Sequence, residues 1–203
     1  MGYDMCTVHA LTADDEESGD TYLHRTLWGM CALREALIVT GAGFDPTVHG
    51  FTVPNAWLGV QGEGVFTFPD ADQYGLTSDD EGLVGDRLDE YTAACEAVLA
   101  QHGPRDVPGI PVFPKLGDNS GWWVTKIECQ AAVAIIDRWL QAHGSSTEQA
   151  IEAVQRRCAR GQSRRLPQAN DQTPMSDEQI ILELGDALPF LRNAAAHDGF
   201  RVY

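Results

Sequence analysis

Apolar residues recur along this chain with two periods, and the changes of period outline its elements. Asp4 to Leu11 (DMCTVHAL) sets Met5, Thr7 and His9 against Cys6, Val8 and Ala10, the alternation of a strand. Thr21–Leu27 predicts a second strand. From Gly29 to Thr40 the apolar positions Met30, Leu33, Leu37 and Ile38 fall at helical spacing, and Gly41 supplies the stop. The stretch from Gly43 to Asp86 keeps neither period and is rich in Gly, Pro and Asp; Phe51–Val53 and Val65–Phe68 are its short strand candidates. Its carboxylate-rich end, Asp70–Glu90, predicts a surface loop running into a helix over Leu88–Gln101, with Leu88, Tyr91, Cys95, Val98 and Leu99 on one face.

The second half is punctuated more clearly. Val107–Phe113, broken by Pro108 and Pro111 and followed by Pro114, predicts an extended linker or edge segment. Gly121–Thr125 predicts a short strand, and Thr125 with Glu128 forms a capping box that opens a helix to Ala142. That helix is apolar on most sides, through Ile127, Ala131, Ala134, Ile135, Ile136, Trp139 and Leu140, and is expected to be the central buried one. Ser146 opens another helix reaching Arg160, with Ile151, Val154 and Cys158 inward. Ser176 with Gln179 opens the last, with Ile180, Ile181, Leu184, Leu188, Leu191 and Ala195 inward; Pro189 is expected to kink or divide it. Phe200–Tyr203, after Gly199, predicts a terminal strand. Strands near both chain ends with helices between them predict an α+β fold: a small, mostly antiparallel sheet including both ends, packed with about four helices. The length of 203 residues suits a single domain with an irregular acidic insertion over 43–86.

Charge changes the picture of possible partners. The formal net charge is -16, and it is unevenly spread. Residues 1–100 hold 18 Asp and Glu against Arg25, Arg34 and Arg87, whereas residues 101–203 hold 12 against 11 Lys and Arg. Affinity for nucleic acid comes from neutralising phosphates, so direct nucleic-acid binding is not expected. The acidic half either solvates the molecule or engages a basic protein partner. No apolar stretch approaches the ~20 residues of a membrane helix, and the N-terminus lacks the basic start of a signal peptide, so a cytoplasmic protein without membrane contact is expected. The five cysteines are widely spaced without a CxxC pair, and Cys95, Cys129 and Cys158 are expected to pack as small buried hydrophobes. Cys6 and His9 lie three apart on a strand and therefore on opposite faces, so no metal site is indicated, and no cofactor.

Three segments carry candidate chemistry. In Lys115–Thr125 a polar turn (Asp118, Asn119, Ser120, Gly121) leads into Trp122 and Trp123, which a strand sends to opposite faces. Lys115, Asp118, Asn119, Ser120, Trp122 and Trp123 are the candidate ligand-binding residues, as amphipathic aromatics beside turn amides make a binding platform; the same letters are also good turn chemistry and fold anchors. Arg156, Arg157, Arg160, Arg164 and Arg165 reverse the global charge locally. They suit either an anion clamp or the C-terminal end of a helix dipole, and Arg156, Arg157 and Arg160 are the candidate anion-binding residues. For catalysis, Asp4, His24 and Cys31 are the candidates, His24 standing near His9 on neighbouring strands. Thr40–Phe44 (TGAGF) is superficially similar to the sirtuin-type NAD motif, but no GxGxxG is completed and Pro46 stands where a helix would begin; Gly41 closing the preceding helix explains the letters more simply.

GYDM at the N-terminus, YLHRTLWGM at 22–30, KLGDNSGWWVTKIEC at 115–129 and FLRNAAAHDGFRVY at the C-terminus together resemble a loose group of bacterial and phage proteins. Those begin Met-Gly-(Tyr/Leu)-Asp-Met, carry an Asn-Asp-Gly-Trp-like turn before a helix and end Gly-Phe-x-Val-aromatic. The resemblance implies no activity, and Asn119-Ser120-Gly121 here departs from the Asn-Asp-Gly form. The expectation is therefore a binding or interaction protein that takes a small molecule or a basic protein at the Asp118–Trp123 turn or on its acidic N-terminal half. The alternative is a small-molecule enzyme using Asp4, His24 or Cys31 near Trp28 against the same turn.

Overall fold

The computed structural model describes residues 2–8, 21–45, 68–79, 82–101, 107–117, 119–162 and 174–203. His9, His49, His102, Asp118, Arg164, Arg165, the strand expected at Phe51–Val53 and all but the last residue of that at Val65–Phe68 lie outside them. The chain divides into two compact units, Met1–Asp45 with His102–Tyr203, and Pro46–Gln101.

The larger unit is α+β. Strands β1 (Gly2–Thr7) and β2 (Tyr22–Thr26) pair antiparallel, with Asp4 opposite His24 and Cys6 opposite Tyr22. Helix α1 (Leu27–Thr40) follows at once: Thr26 Oγ1 accepts from the Gly29 N–H at 3.2 Å, and Gly41, at φ 76°, closes the other end. The chain then forms β3 (Gly43–Phe44). In the smaller unit, Ala71–Tyr74 is a 3₁₀ turn capped by Asp70, followed by a hairpin of β4 (Thr77–Asp79) and β5 (Gly82–Val84) and by α2 (Leu88–Leu99). The acidic stretch expected to be loop thus contains a turn and a hairpin; Asp79 Oδ1 accepts from the Gly82 N–H at 3.0 Å, as turn-forming Asp does.

Back in the larger unit, β6 (Ile110–Pro111) makes a two-residue parallel bridge to β3, and a single turn, α3 (Val112–Lys115), follows. Strand β7 (Trp122–Val124) precedes α4 (Lys126–Ala142), α5 (Thr147–Ala159), α6 (Asp177–Ala196) and β8 (Phe200–Val202). Capping boxes open α4, α5 and α6 at Thr125, Ser146 and Ser176. The main sheet has the order β2-β1-β8-β7, antiparallel throughout, so both chain ends lie in it.

One face of this sheet builds the core. Tyr3, Met5, Leu23, Val124, Phe200 and Val202 pack with Met30, Leu33 and Leu37 of α1, Cys129, Ala132, Ile136 and Leu140 of α4, and Leu184, Leu188 and Leu191 of α6. The central buried helix is α6 rather than α4, whose Ile127 is exposed. Helix α6 also runs unbroken through Pro189. A proline within a helix costs about 3 kcal/mol, whereas fully burying one Leu or Phe contributes about 1.5–3 kcal/mol; with Leu184, Leu188, Phe190 and Leu191 all interior, packing wins. Helix α5 lies on α6, and at their closest approach a Cβ on Gly185 would stand 2.3 Å from the Ala150 carbonyl oxygen. That contact turns Thr147, Ala150 and Val154 inward, leaves Ile151 half-buried and puts Cys158 in solvent. Of the three cysteines expected inside, Cys129 is buried and Cys95 half-buried. Among the described residues, no helix is long and apolar enough to cross a membrane.

Candidate functional site

The sheet's second face carries chemistry instead of core. Pairing register places Tyr22, Cys6, Arg201 and Trp123 in one row across the four strands. Asp4 and Tyr203 exchange main-chain hydrogen bonds, 2.7 Å and 2.8 Å, so His24, Asp4 and Tyr203 form a second row on that face.

At the β2 end the side chains interlock. The Tyr22 hydroxyl donates to Asp4 Oδ1, and His24 Nδ1 lies 2.8 Å from the same oxygen. These two partners, the tyrosine hydroxyl first, hold the Asp4 carboxyl below its usual range. Gly2 makes room for the imidazole: a Cβ there would stand 2.6 Å from His24 Cε1 and 3.1 Å from its Nε2. The free end of the ring therefore points toward Gly2, on the opposite side of Asp4 from Cys6. Cys31 does not join them. It lies on α1, which packs against the other face of the sheet, where the Arg34 Nη2 donates to its sulfur at 3.1 Å. The sheet thus separates Cys31 from Asp4 and His24, which it brings together on its outer face.

At the β7 end the two tryptophans part as a strand demands. Trp122 is interior. Trp123 is half-buried on the outer face, its indole N–H donating to the Asp198 carbonyl at 2.8 Å and the Arg201 guanidinium standing 5.1 Å over its ring. Lys115 does not reach the surface as expected of a ligand-binding residue. It is fully buried, with Nζ 2.8 Å from Glu128 Oε2 and donating to the Trp123 carbonyl at 2.6 Å. Burial pushes its ammonium below the ordinary lysine range, and Glu128 opposes that shift. Asn119 is committed to the fold, its Nδ2 donating to the Gly2 carbonyl at 2.8 Å, while Ser120 is exposed. Through this contact Asn119 ties the segment before β7 to β1.

Sequence reasoning missed a concave feature of this unit. Strand β2 ends the sheet, and beside it runs a groove of about 660 Å³ lined by Tyr22, Leu23, His24, Ile151, Val154, Gln155, Cys158, Gly185, Asp186 and Pro189. Since the Thr7 N–H donates to the Thr21 carbonyl at 2.9 Å, the antiparallel alternation directs the main chain of Leu23 and Arg25 toward β1 and that of His24 outward, along the groove. Asp186, in the groove lining, belongs to a buried cluster: Arg25 Nη1 lies 2.5 Å from Asp186 Oδ2 and Nη2 lies 3.2 Å from Glu183 Oε1. A lone arginine in a short strand carries no sequence signal of such long-range partners. Arg156, Arg157 and Arg160 line a different cleft, taken up below. Among the described residues no cluster of His, Cys, Asp or Glu is arranged to hold a metal.

The chain matches no family model, and no curated protein or solved structure is significantly similar to it.

Proposed function

We propose that this protein is an acidic, cytoplasmic peptide-binding protein that takes an extended, basic segment of a partner protein along the β2 edge. The observation that supports this reading is the concave groove of about 660 Å³ running beside the edge strand of the sheet. An edge strand offers main-chain hydrogen bonds to an incoming strand, and a groove beside it offers sites for alternate side chains. Ile151, Val154 and Pro189 supply an apolar wall, and Tyr22, His24, Gln155 and Asp186 supply polar positions. Charge favours a basic occupant: the molecule carries -16, and the connection between β1 and β2 holds Asp14, Asp15, Glu16, Glu17 and Asp20 without a cation.

Selection of a random peptide display library on the purified full chain tests this. Enriched peptides are expected to be rich in Lys and Arg, to lose at least about tenfold in affinity when Gln155→Trp fills the groove, and to ignore Trp123→Ala. No enrichment, or peptides that respond to Trp123→Ala instead, would overturn it. A second reading, an enzyme with His24 as a proton acceptor, draws on the Asp4–His24 contact of 2.8 Å, the arrangement in which a carboxylate orients an imidazole. It is tested by screening hydrolytic and isomerase substrates for turnover that His24→Gln abolishes.

A further inference from the structure

Helices α5 and α6 run antiparallel and come main chain to main chain at Ala150 and Gly185. A cleft of about 350 Å³ lies between the last turns of α5 and the first turns of α6, lined by Ala153, Arg156, Arg157, Arg160, Gln162, Glu178, Ile181 and Leu182. The residues at 153, 156, 157 and 160 follow the i, i+3, i+4, i+7 spacing of one helix stripe, so all three guanidiniums face the same space. The stripe of α6 opposite, 178, 181 and 182, is mostly apolar.

Three features of this cleft point the same way. First, it concentrates cations in a molecule of net charge -16, on the half of the chain where charge nearly balances. Second, Arg156 and the C-cap residue Arg160 lie one turn apart on that stripe, so their like charges stand side by side at the end of α5. Glu152 reaches only the first of the pair, at 3.3 Å from Arg156 Nη1. Third, the helix dipole accounts for cations at the end of α5 but not for their convergence on a cavity with an apolar wall. Glu178 is the carboxylate that faces them there. The planar forks of the three guanidiniums match the oxygens of phosphate.

We propose that this cleft binds an organic phosphate monoester, with the phosphate on Arg156, Arg157 and Arg160 and the organic group against Ala153, Ile181 and Leu182. The site is separate from the β2 groove, with which its lining shares no residue, and it does not depend on the peptide-binding reading.

Calorimetric titration of the full chain with phenyl phosphate and, separately, inorganic phosphate, at low salt and neutral pH, tests it. Saturable binding of phenyl phosphate is expected, tighter than that of inorganic phosphate. The Arg157→Gln/Arg160→Gln double variant should weaken it by at least about tenfold, the loss of charge-assisted hydrogen bonds. Glu178→Gln should tighten it several-fold, a gain that a damaged fold does not produce. Circular dichroism and the melting temperature confirm that each variant is folded. The proposal is overturned by an absence of saturation up to about 10 mM, an affinity the double variant leaves unchanged, weaker binding in Glu178→Gln, or inorganic phosphate binding as well as the phenyl ester.

Discussion

The buried pair of Lys115 and Glu128 invites a direct test, because each partner can be neutralised with little change of shape. Lys115 is fully buried and Glu128 nearly so. Glu128 Oε2 gathers Lys115 Nζ at 2.8 Å, the Thr125 N–H at 2.8 Å and the Thr125 hydroxyl at 3.0 Å, so one oxygen joins the ion pair to the cap of α4. Glu128→Gln retains an acceptor for the Thr125 N–H but strands an ammonium inside the protein. Lys115→Met strands a carboxylate, which keeps its two donors from Thr125. Breaking a buried pair from one side costs about 3–5 kcal/mol. For a chain of this size that is a loss of about 6–20 °C in melting temperature. The first substitution should be the more harmful, since the ammonium keeps the Trp123 carbonyl at 2.6 Å as an acceptor but no countercharge from Glu128. Replacing a buried pair as a whole is often close to neutral, so Lys115→Met/Glu128→Gln should be more stable than either single variant. Urea denaturation followed by tryptophan fluorescence measures all four proteins. Single-variant losses below about 1 kcal/mol, or a double variant that shows the sum of the two, would refute the reasoning.

Two further predictions follow from the same packing. Gly185→Ala gains about 1 kcal/mol in helix propensity, but its Cβ would stand 2.3 Å from the Ala150 carbonyl oxygen; a net loss of about 1–3 kcal/mol in chemical denaturation is expected, and a stabilised variant would show that α5 and α6 do not meet there. Because the Asp4 carboxyl is held below its usual range in the folded state, its contribution is present above the ordinary value near 4 and is lost as pH falls through the folded-state pKa; melting temperatures of wild type and Asp4→Asn should converge on acidification, and a gap independent of pH would contradict the Tyr22–Asp4–His24 cluster.

Local signals in the chain identified most of the elements, and for a local reason. Thr125 with Glu128, Ser146, and Ser176 with Gln179 announce helix starts because their hydrogen bonds close within three residues, and all three open helices in the structure. Gly41 announces an end because the left-handed turn it adopts, at φ 76°, is disfavoured for other residues. The alternation at 4–7 and 22–26, with strand patterns at 122–124 and 200–202, was enough to place both chain ends in one antiparallel sheet. What local pattern misjudged were residues whose environment is supplied from far along the chain. Lys115 in a polar turn reads as exposed, and Pro189 reads as a break. Cys31 reads as a possible partner of Asp4 and His24 because nothing local states which face of the sheet α1 covers.

By itself, then, the sequence determined the α+β class, the helix caps, the acidic first half and the cluster of arginines on α5, since each depends on contacts a few residues apart or on composition. Only the tertiary structure decided the strand order β2-β1-β8-β7, the edge position of β2 and the groove beside it, the burial of Lys115 against Glu128 and of Arg25 against Glu183 and Asp186, and the cleft that gathers Arg156, Arg157 and Arg160. These rest on pairings between residues far apart in the chain, such as Met5 with Val202 and, 161 residues apart, Arg25 with Asp186. Such pairings are selected by the packing of whole faces, because a buried charge is tolerated only where the fold delivers its partner.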